Sequence, residues 1–476
     1  MRPASLSGER RKWWTLAAVA FGLFMIMLDN TVVNVALPSI QRDLDAGLPE
    51  LQWIVTGYAL TFAALMLIGG KAADAFGRRR VFVLGIAVFT LASLWCGLAD
   101  SGGTLIAARV VQGAGAALMN PATLSIIAAT FPPRQRGTAI GIWAGVSALA
   151  LAIGPLVGGL LTEHLSWHWI FWVNVPVGAL GIAATYFFVD ESRDETHERL
   201  DVPGLLTSGL GLFALTYGLI EANTYGWTSA RIVASFAVAV VALAAFLVLE
   251  RTQRAPMLPL ELFRSGTYTG ANVVVLLVAL AMFGVFFFVS LYMQNILGYS
   301  AVQAGAAFLP MTVLIILVAP VAGRASDRRG SRWLMTAGMI LLAVQLLTFS
   351  QLGPDASYAE LLPAMLIGGL GMALTMTPSA AAATRSVPVD KAGVGSAVLN
   401  AFRQVGGSLG VALIGAIMAA EAGGRRTREA FMDGFETSLL VAAAIALAGA
   451  LVAFAFVRAH DREGETGAAQ QPELAA

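Results

Sequence analysis

The chain has 476 residues, of which 57% are hydrophobic and 12% charged, with a net charge of +1 and a mean hydropathy of +0.75. A soluble domain carries roughly 25% charged residues, so a chain this poor in charge cannot cover a water-facing surface. Its near-neutral balance argues against a nucleic-acid partner. The apolar residues run in continuous, Ala/Leu/Gly-rich blocks of about 20, enough to cross a hydrocarbon layer of roughly 30 Å. Strands of a barrel would alternate, so the expected spans are helices and the fold class is an all-α integral membrane protein.

Arg10, Arg11 and Lys12 precede the first block, which opens at Trp13. That block runs for about 25 residues and holds Asp29, so it reads as a retained membrane helix rather than a signal peptide. The chain contains 14 candidate spans, at approximately 14–38, 51–70, 81–99, 104–130, 137–160, 169–188, 202–222, 230–249, 268–293, 302–322, 333–351, 361–382, 395–420 and 437–457. An even number returns both termini to one side. Basic residues decide which side. With the N-terminus in the cytoplasm, 23 of the 30 Lys and Arg fall on cytoplasmic segments and five on external ones; Arg109 and Arg403 remain inside helices. One missed helix would scramble that alternation. Residues 256–263, apolar positions mixed with Glu261, predict a short interfacial helix before span 9. Residues 461–476 are polar and predict a disordered cytoplasmic tail.

The chain also repeats itself. Gly70, Asp74, Gly77 and Arg79 after span 2 recur with the same spacing as Gly323, Asp327, Gly330 and Arg332 after span 10. A second echo pairs Gly113-Ala114-Gly115 with Gly369-Leu370-Gly371, and the offsets, 253 and 256, nearly agree. Two six-helix halves follow, at 1–190 and, with the interfacial helix, 253–460, separated by a two-helix insert at 191–252. A duplicated bundle with a site at the midplane between its halves is a transporter design.

Residues 70–79 resemble the loop between helices 2 and 3 of the major facilitator superfamily. Arg109-Val110-Val111-Gln112-Gly113 in span 4 is similar to that superfamily's helix-4 arginine motif. Gly154, Pro155, Gly158 and Gly159 in span 5 resemble its antiporter motif, and Leu28-Asp29-Asn30-Thr31 through Pro38 resembles the signature of the 14-helix drug:proton antiporter family. The resemblance implies the major facilitator fold and a proton-coupled antiporter. Its substrates would be small amphipathic compounds: drugs, dyes, antiseptics or antibiotics. A dedicated metabolite or lipid exporter, or an importer, is the alternative on the same scaffold. The sequence departs from the family at His168, where arginine is common, at Ala150, and at Met365, the repeat counterpart of Arg109.

Asp29 lies about nine residues, roughly 13 Å, from the external end of its span, and Arg109 lies at similar depth. Each is costly alone in a membrane, so matched depth predicts a shared environment, and a carboxylate beside a guanidinium is a proton-coupling candidate. Asp74 ends span 2, where the helix dipole disfavours a carboxylate; it therefore needs a donor such as Arg78. With Gly70, Gly77, Arg78 and the second-half Asp327 it forms a candidate cytoplasmic gate. Gly154 and Pro155 interrupt helix bonding, and Gly158 and Gly159 offer a smooth face for contact between halves. Asn34, Tyr58, Gln112, Asn120 and Arg403 are candidates for the substrate cavity. Arg403 has three readings: bound to a carbonyl, to an anionic group of substrate, or to water. Glu221 reads as a rim residue reaching water, and His168 as a tolerated polar group or an external pH-sensitive one. His164 and His168 lack a third ligand for a metal. Cys96 allows no internal disulfide. No Gly-x-x-x-x-Gly-Lys-Ser/Thr occurs, so no cofactor or enzymatic activity is expected. The expected partners are lipid, a small-molecule substrate and protons, with the chain acting as a monomer in the cytoplasmic membrane.

Overall fold

The computed structural model describes residues 8–193, 201–253, 256–388, 392–423, 425 and 427–458. Helices follow in the order α1 (Gly8–Asp43), α2 (Leu48–Phe76), α3 (Arg78–Cys96), α4 (Gly102–Thr130), α5 (Pro133–His164), α6 (Trp169–Trp172) and α7 (Asn174–Phe188). After these come α8 (Val202–Tyr225), α9 (Ala230–Thr252), α10 (Gly266–Leu291), α11 (Ala301–Ala307), α12 (Leu309–Arg329), α13 (Arg332–Ser350), α14 (Tyr358–Arg385), α15 (Ala392–Ala422) and α16 (Arg428–Phe456). Among the described residues 14 segments are long and apolar enough to cross a membrane, with α6 and α7 forming one and α11 and α12 another. The 14 expected spans are all there. Their helices overrun the apolar stretches because Arg10–Lys12 and Arg42–Asp43 stay helical beyond the hydrocarbon. The segment expected to form an interfacial helix holds only a 3-10 turn, Leu260–Arg264. The tail at 461–476 lies outside the described residues.

Helix ends are set by side-chain caps on exposed backbone amides. Ser101 accepts from Thr104, Ser229 from Ile232, Ser265 from Tyr268 and Thr427 from Ala430, while Ser300 and Gln303 form a capping box before α11. Pro155 does not interrupt α5, which runs unbroken through it. The proline removes one hydrogen bond from the ladder without ending the helix, a loss that neighbouring helices offset in a membrane.

Contacts sort the helices. In the first set α1 packs on α5 and α7, α2 on α4, and α3 on α4 and α7. In the second, α10 packs on α14, α15 and α16, α12 on α14, and α13 on α14 and α16. α8 and α9 pack on each other, and α8 touches both α2 and α15. The second sequence echo now has a cause. A Cβ on Gly113 would lie 2.5 Å from the Tyr58 carbonyl oxygen of α2, and one on Gly115 2.5 Å from the Phe89 amide of α3. A Cβ on Gly369 would lie 2.5 Å from the Met311 carbonyl oxygen of α12, and one on Gly371 2.9 Å from that of Gly338 in α13. In each set the glycine pair lets one helix be squeezed between two others.

Call the side holding the start of α1 the near face. Toward the far face, side-chain hydrogen bonds tie the two sets. Ser290 donates to the Asn34 carbonyl at 3.0 Å, Gln294 to Val35 at 2.9 Å and Gln52 to Val411 at 2.7 Å. Glu163 accepts from the Val302 amide at 2.8 Å.

Candidate functional site

Asp29 and Arg109 meet inside the first set. The carboxylate Oδ2 and the guanidinium Nη1 are 2.5 Å apart, and the two side chains are 0% and 2% exposed. Gln112, one turn along α4 from Arg109, donates to Asp29 Oδ1 at 2.9 Å and to Ser93 Oγ at 2.8 Å, and accepts from Arg109 at 2.6 Å. Asn174 of α7 reaches Asp29 Oδ1 at 3.5 Å. Arg109 Nε donates to the Ile54 carbonyl of α2 at 3.1 Å, and its guanidinium lies 4.2 Å over the Tyr58 ring. Buried charge of this kind is tolerated only when paired and hydrogen-bonded on all sides. Here five helices supply those partners. Both charged side chains are closed off from the surface in this arrangement.

The near-face loops hold the candidate gate. Asp74 accepts from Arg78 Nε at 2.9 Å and Nη2 at 2.8 Å. Gly77, between α2 and α3, sits at φ +108°, which favours glycine, and a Cβ there would come 2.7 Å from Glu191 Oε1. Glu191 accepts from the Arg79 amide at 3.1 Å. Gly70 approaches Pro121 of α4 only loosely, at 3.4 Å from its would-be Cβ. In the second set Asp327 pairs not with its own loop but with Arg385 at the end of α14, at 2.7 Å; Arg385 also bonds Ser326 and Ser331.

The glycines of α5 serve two neighbours. A Cβ on Gly154 would collide with Thr31 Oγ1 of α1, and one on Gly158 would come 2.6 Å from the Val32 carbonyl oxygen. One on Gly159 would collide with the Ala301 carbonyl of α11, and one on Gly305 with that of Pro155. So one side of α5 is moulded to its own set and the other to the opposite set, at the far face.

The remaining candidates scatter. Gln112 belongs to the Asp29 cluster and is fully buried, as is Tyr58 at 1% exposure; neither lines an open wall. Asn120 is 3% exposed near Thr123, which Trp143 of α5 bonds at 2.9 Å. Asn34 and Arg403 are partly exposed. Glu221 accepts from Trp53 Nε1 at 3.2 Å, tying α8 to α2 rather than reaching only water. His168 stacks on Trp167 at 3.8 Å, and burial, partly offset by the Asp43 carboxylate, holds its imidazole below the usual histidine range.

A further cluster has no counterpart in the sequence reading. Asp201 caps α8 through Gly204 at 2.8 Å and also accepts from the Met257 amide at 3.3 Å; Glu250 accepts from the Leu258 amide at 2.8 Å. Both acids are at most 3% exposed, and Lys71 of α2 donates to the Pro256 carbonyl at 3.1 Å. Although burial pushes Asp201 up, the amide donors and Gln253 hold its carboxyl below the usual range. An acid immediately before a helix is a legible cap signal; that it also grips Met257 is not.

The chain resembles known proteins over most of its length. It is 38% identical over 419 residues to a tetracenomycin C resistance and export protein of Streptomyces glaucescens, covering 88% of this chain and 78% of that one. It is 40% identical over 414 residues to a puromycin resistance protein of Streptomyces alboniger, covering 86% and 82%. A multidrug resistance protein of Mycobacterium tuberculosis is 37% identical over 415 residues, covering 87% and 77%. In fold the chain resembles a bacterial homologue of the human lysosomal transporter Spinster, with a TM-score of 0.66 at 18% identity over 93% of this chain and 96% of that one. The sequence model of the Major Facilitator Superfamily matches residues 19–411 and, overlapping, 271–475. With 14 membrane-crossing segments, a repeated glycine-packed helix trio and these matches, the chain belongs to the Major Facilitator Superfamily.

Proposed function

We propose that this protein is a proton-coupled exporter of small amphipathic compounds, a monomer in the cytoplasmic membrane with both termini in the cytoplasm. The observation that carries the proposal is the sealed Asp29–Arg109 pair, a proton-binding group bonded across five helices of one set. The relatives named for resistance and export support the choice of cargo. In this reading units 1–190 and 253–460 rock against each other, with 191–252 as an insert. The near face is cytoplasmic, as its basic residues favour, and the far-face bonds between the sets describe the state closed to the outside. Asp29 is then ion-paired while cargo enters from the cytoplasm. In the outward-open state the pair parts, takes up a proton, and cargo leaves.

The test is transport in everted vesicles carrying the protein. With an acid interior monitored by a pH-sensitive dye, adding ethidium, rhodamine or another amphipathic drug should release protons and accumulate the drug. A panel that moves no protons and accumulates nothing, or moves in the opposite direction, removes the reading of a proton-driven exporter.

Asp74 is assigned a conformational role. Among the described residues it bonds Arg78 of its own loop, and in this reading a contact with the second unit belongs to the opposite state. Loss of that contact biases the two-state equilibrium. Asp74→Asn should therefore slow turnover severalfold and raise thiol labelling of cysteines placed at the near-face ends of α2 and α15, with expression and topology unchanged. Asp327→Asn should do less, because Arg385 keeps Ser326 and Ser331. Normal labelling and transport in the Asp74 variant would leave that residue a topological role at most.

A further inference from the structure

Two arginines stand inside the apolar stretches of the spans, and their surroundings differ. Arg109 has its carboxylate. Arg403 of α15 lies about 16 Å from the near-face end of its helix at 1.5 Å per residue, is partly exposed, and makes no ion pair or hydrogen bond among the described residues. An unpaired cation at that depth is expensive and marks a functional site by default.

Its direction follows from its neighbours on the helix. Gly406 and Gly410 are pressed against the carbonyls of Leu276 and Leu280 in α10, while Gln52 of α2 bonds Val411 and abuts Gly415. At about 100° per residue, Arg403 falls between those two faces, over the seam where the second set meets the first. Two polar groups without partners lie about 100° and 140° round the helix from it, on the side of α15 that meets α2. Gln404 Nε2 and Ser408 Oγ, one turn apart on α15, are buried and unsatisfied, at 2% and 1% exposure of their residues. A buried donor is seldom left unpaired. No carboxylate among the described residues pairs with the Arg403 guanidinium, so its donors are open to a ligand. Phe402 lies beside Arg403 with its ring 5.9 Å from that of Phe263, and Phe283 rests against Gly407 one turn on. Apolar walls therefore stand next to the charge.

We propose that Arg403 is an anion-recognition site for exported compounds that carry a carboxylate, enolate or phenolate on an apolar, ring-containing body. The inference rests on the reading of the chain as a transporter with its cavity between the two sets. It concerns binding only, so it can fail or stand apart from proton coupling. A guanidinium donates two parallel bonds to a planar anion, which an ammonium cannot copy.

The test uses the full chain in a neutral detergent and two dyes on one xanthene core, anionic fluorescein and cationic rhodamine 123, with binding followed by fluorescence anisotropy. Arg403→Gln should weaken fluorescein binding by at least about tenfold, the size expected for one lost charge-assisted hydrogen bond. Arg403→Lys should lose less, and rhodamine 123 should bind all three proteins equally or favour the glutamine variant. Thermal unfolding of each variant reports its folding, and Arg403→Lys serves if Arg403→Gln does not fold. Three results overturn the proposal: wild type that does not bind fluorescein, fluorescein affinity that Arg403→Gln and Arg403→Lys share with wild type, or equal loss for both dyes. Failure of drug-driven proton movement with fluorescein binding still dependent on Arg403 would instead strike the coupling and leave this site in place.

Discussion

Asp29→Asn is expected to reduce pH-gradient-driven export to the level of vesicles lacking the protein, while the variant still inserts and folds. Asparagine has nearly the same shape and keeps a carbonyl oxygen facing Arg109, but it has no proton to exchange. Removing one partner of a buried pair costs about 3–5 kcal/mol when the other charge is left bare. Here Arg109 keeps the Ile54 carbonyl, the Gln112 oxygen and the face of Tyr58, so the loss should fall below that range. Arg109→Ala is the harsher change, because Asp29 then retains only the neutral donors Gln112 and Asn174. Downhill drug exchange without a pH gradient, measured with the same vesicles, separates lost coupling from lost folding. Full gradient-driven export by Asp29→Asn would take that residue out of the mechanism.

The second large effect is steric. Gly159→Val should abolish tight sealing at the far face, because its side chain would strike the Ala301 backbone, which cannot turn aside as a flexible side chain could. Gly305→Val should do the same from the opposite helix, against Pro155. Overpacking costs about 1–3 kcal/mol where neighbours can adjust, and a backbone collision belongs at the upper end or beyond. The expected readouts are faster passive collapse of an imposed pH gradient and loss of export, with a lower melting temperature in detergent. Gly145→Val on the same helix is the control, since nothing lies within 4 Å of its would-be Cβ. Equal tightness in all three variants would show that α5 and α11 are not the seal.

The features legible in the sequence were those that depend on position along one helix. Length and charge alternation give the number of spans, and equal depth brings Asp29 and Arg109 together before any contact is known. Gln112 could also have been placed, being three residues from Arg109 and so on the same helix face. Rotation and partner choice were not legible. Nothing local marks Ser93 and Asn174 as the residues that complete the cluster, since each is an isolated polar residue in an apolar run. The repeat pointed to Asp327 as a copy of Asp74, but not to Arg385 as its partner, 58 residues away. The glycine echo in the sequence marks duplication; its cause, a helix held between two others at backbone distance, appears only when the helices are packed.

The grip of Asp201, Glu250 and Lys71 on residues 256–258 bears on how much freedom the chain has between its two units. A long connection ordinarily behaves as a slack leash, whose ends explore many separations. Here the stretch that leaves the insert is clasped at its start by the insert's own acids and by a lysine of the first unit. The excess length is therefore spent inside a packed helix pair, and the free tether is shortened to the few residues before α10. The helix pair α8–α9, bonded in this way, takes up slack in the chain ahead of α10.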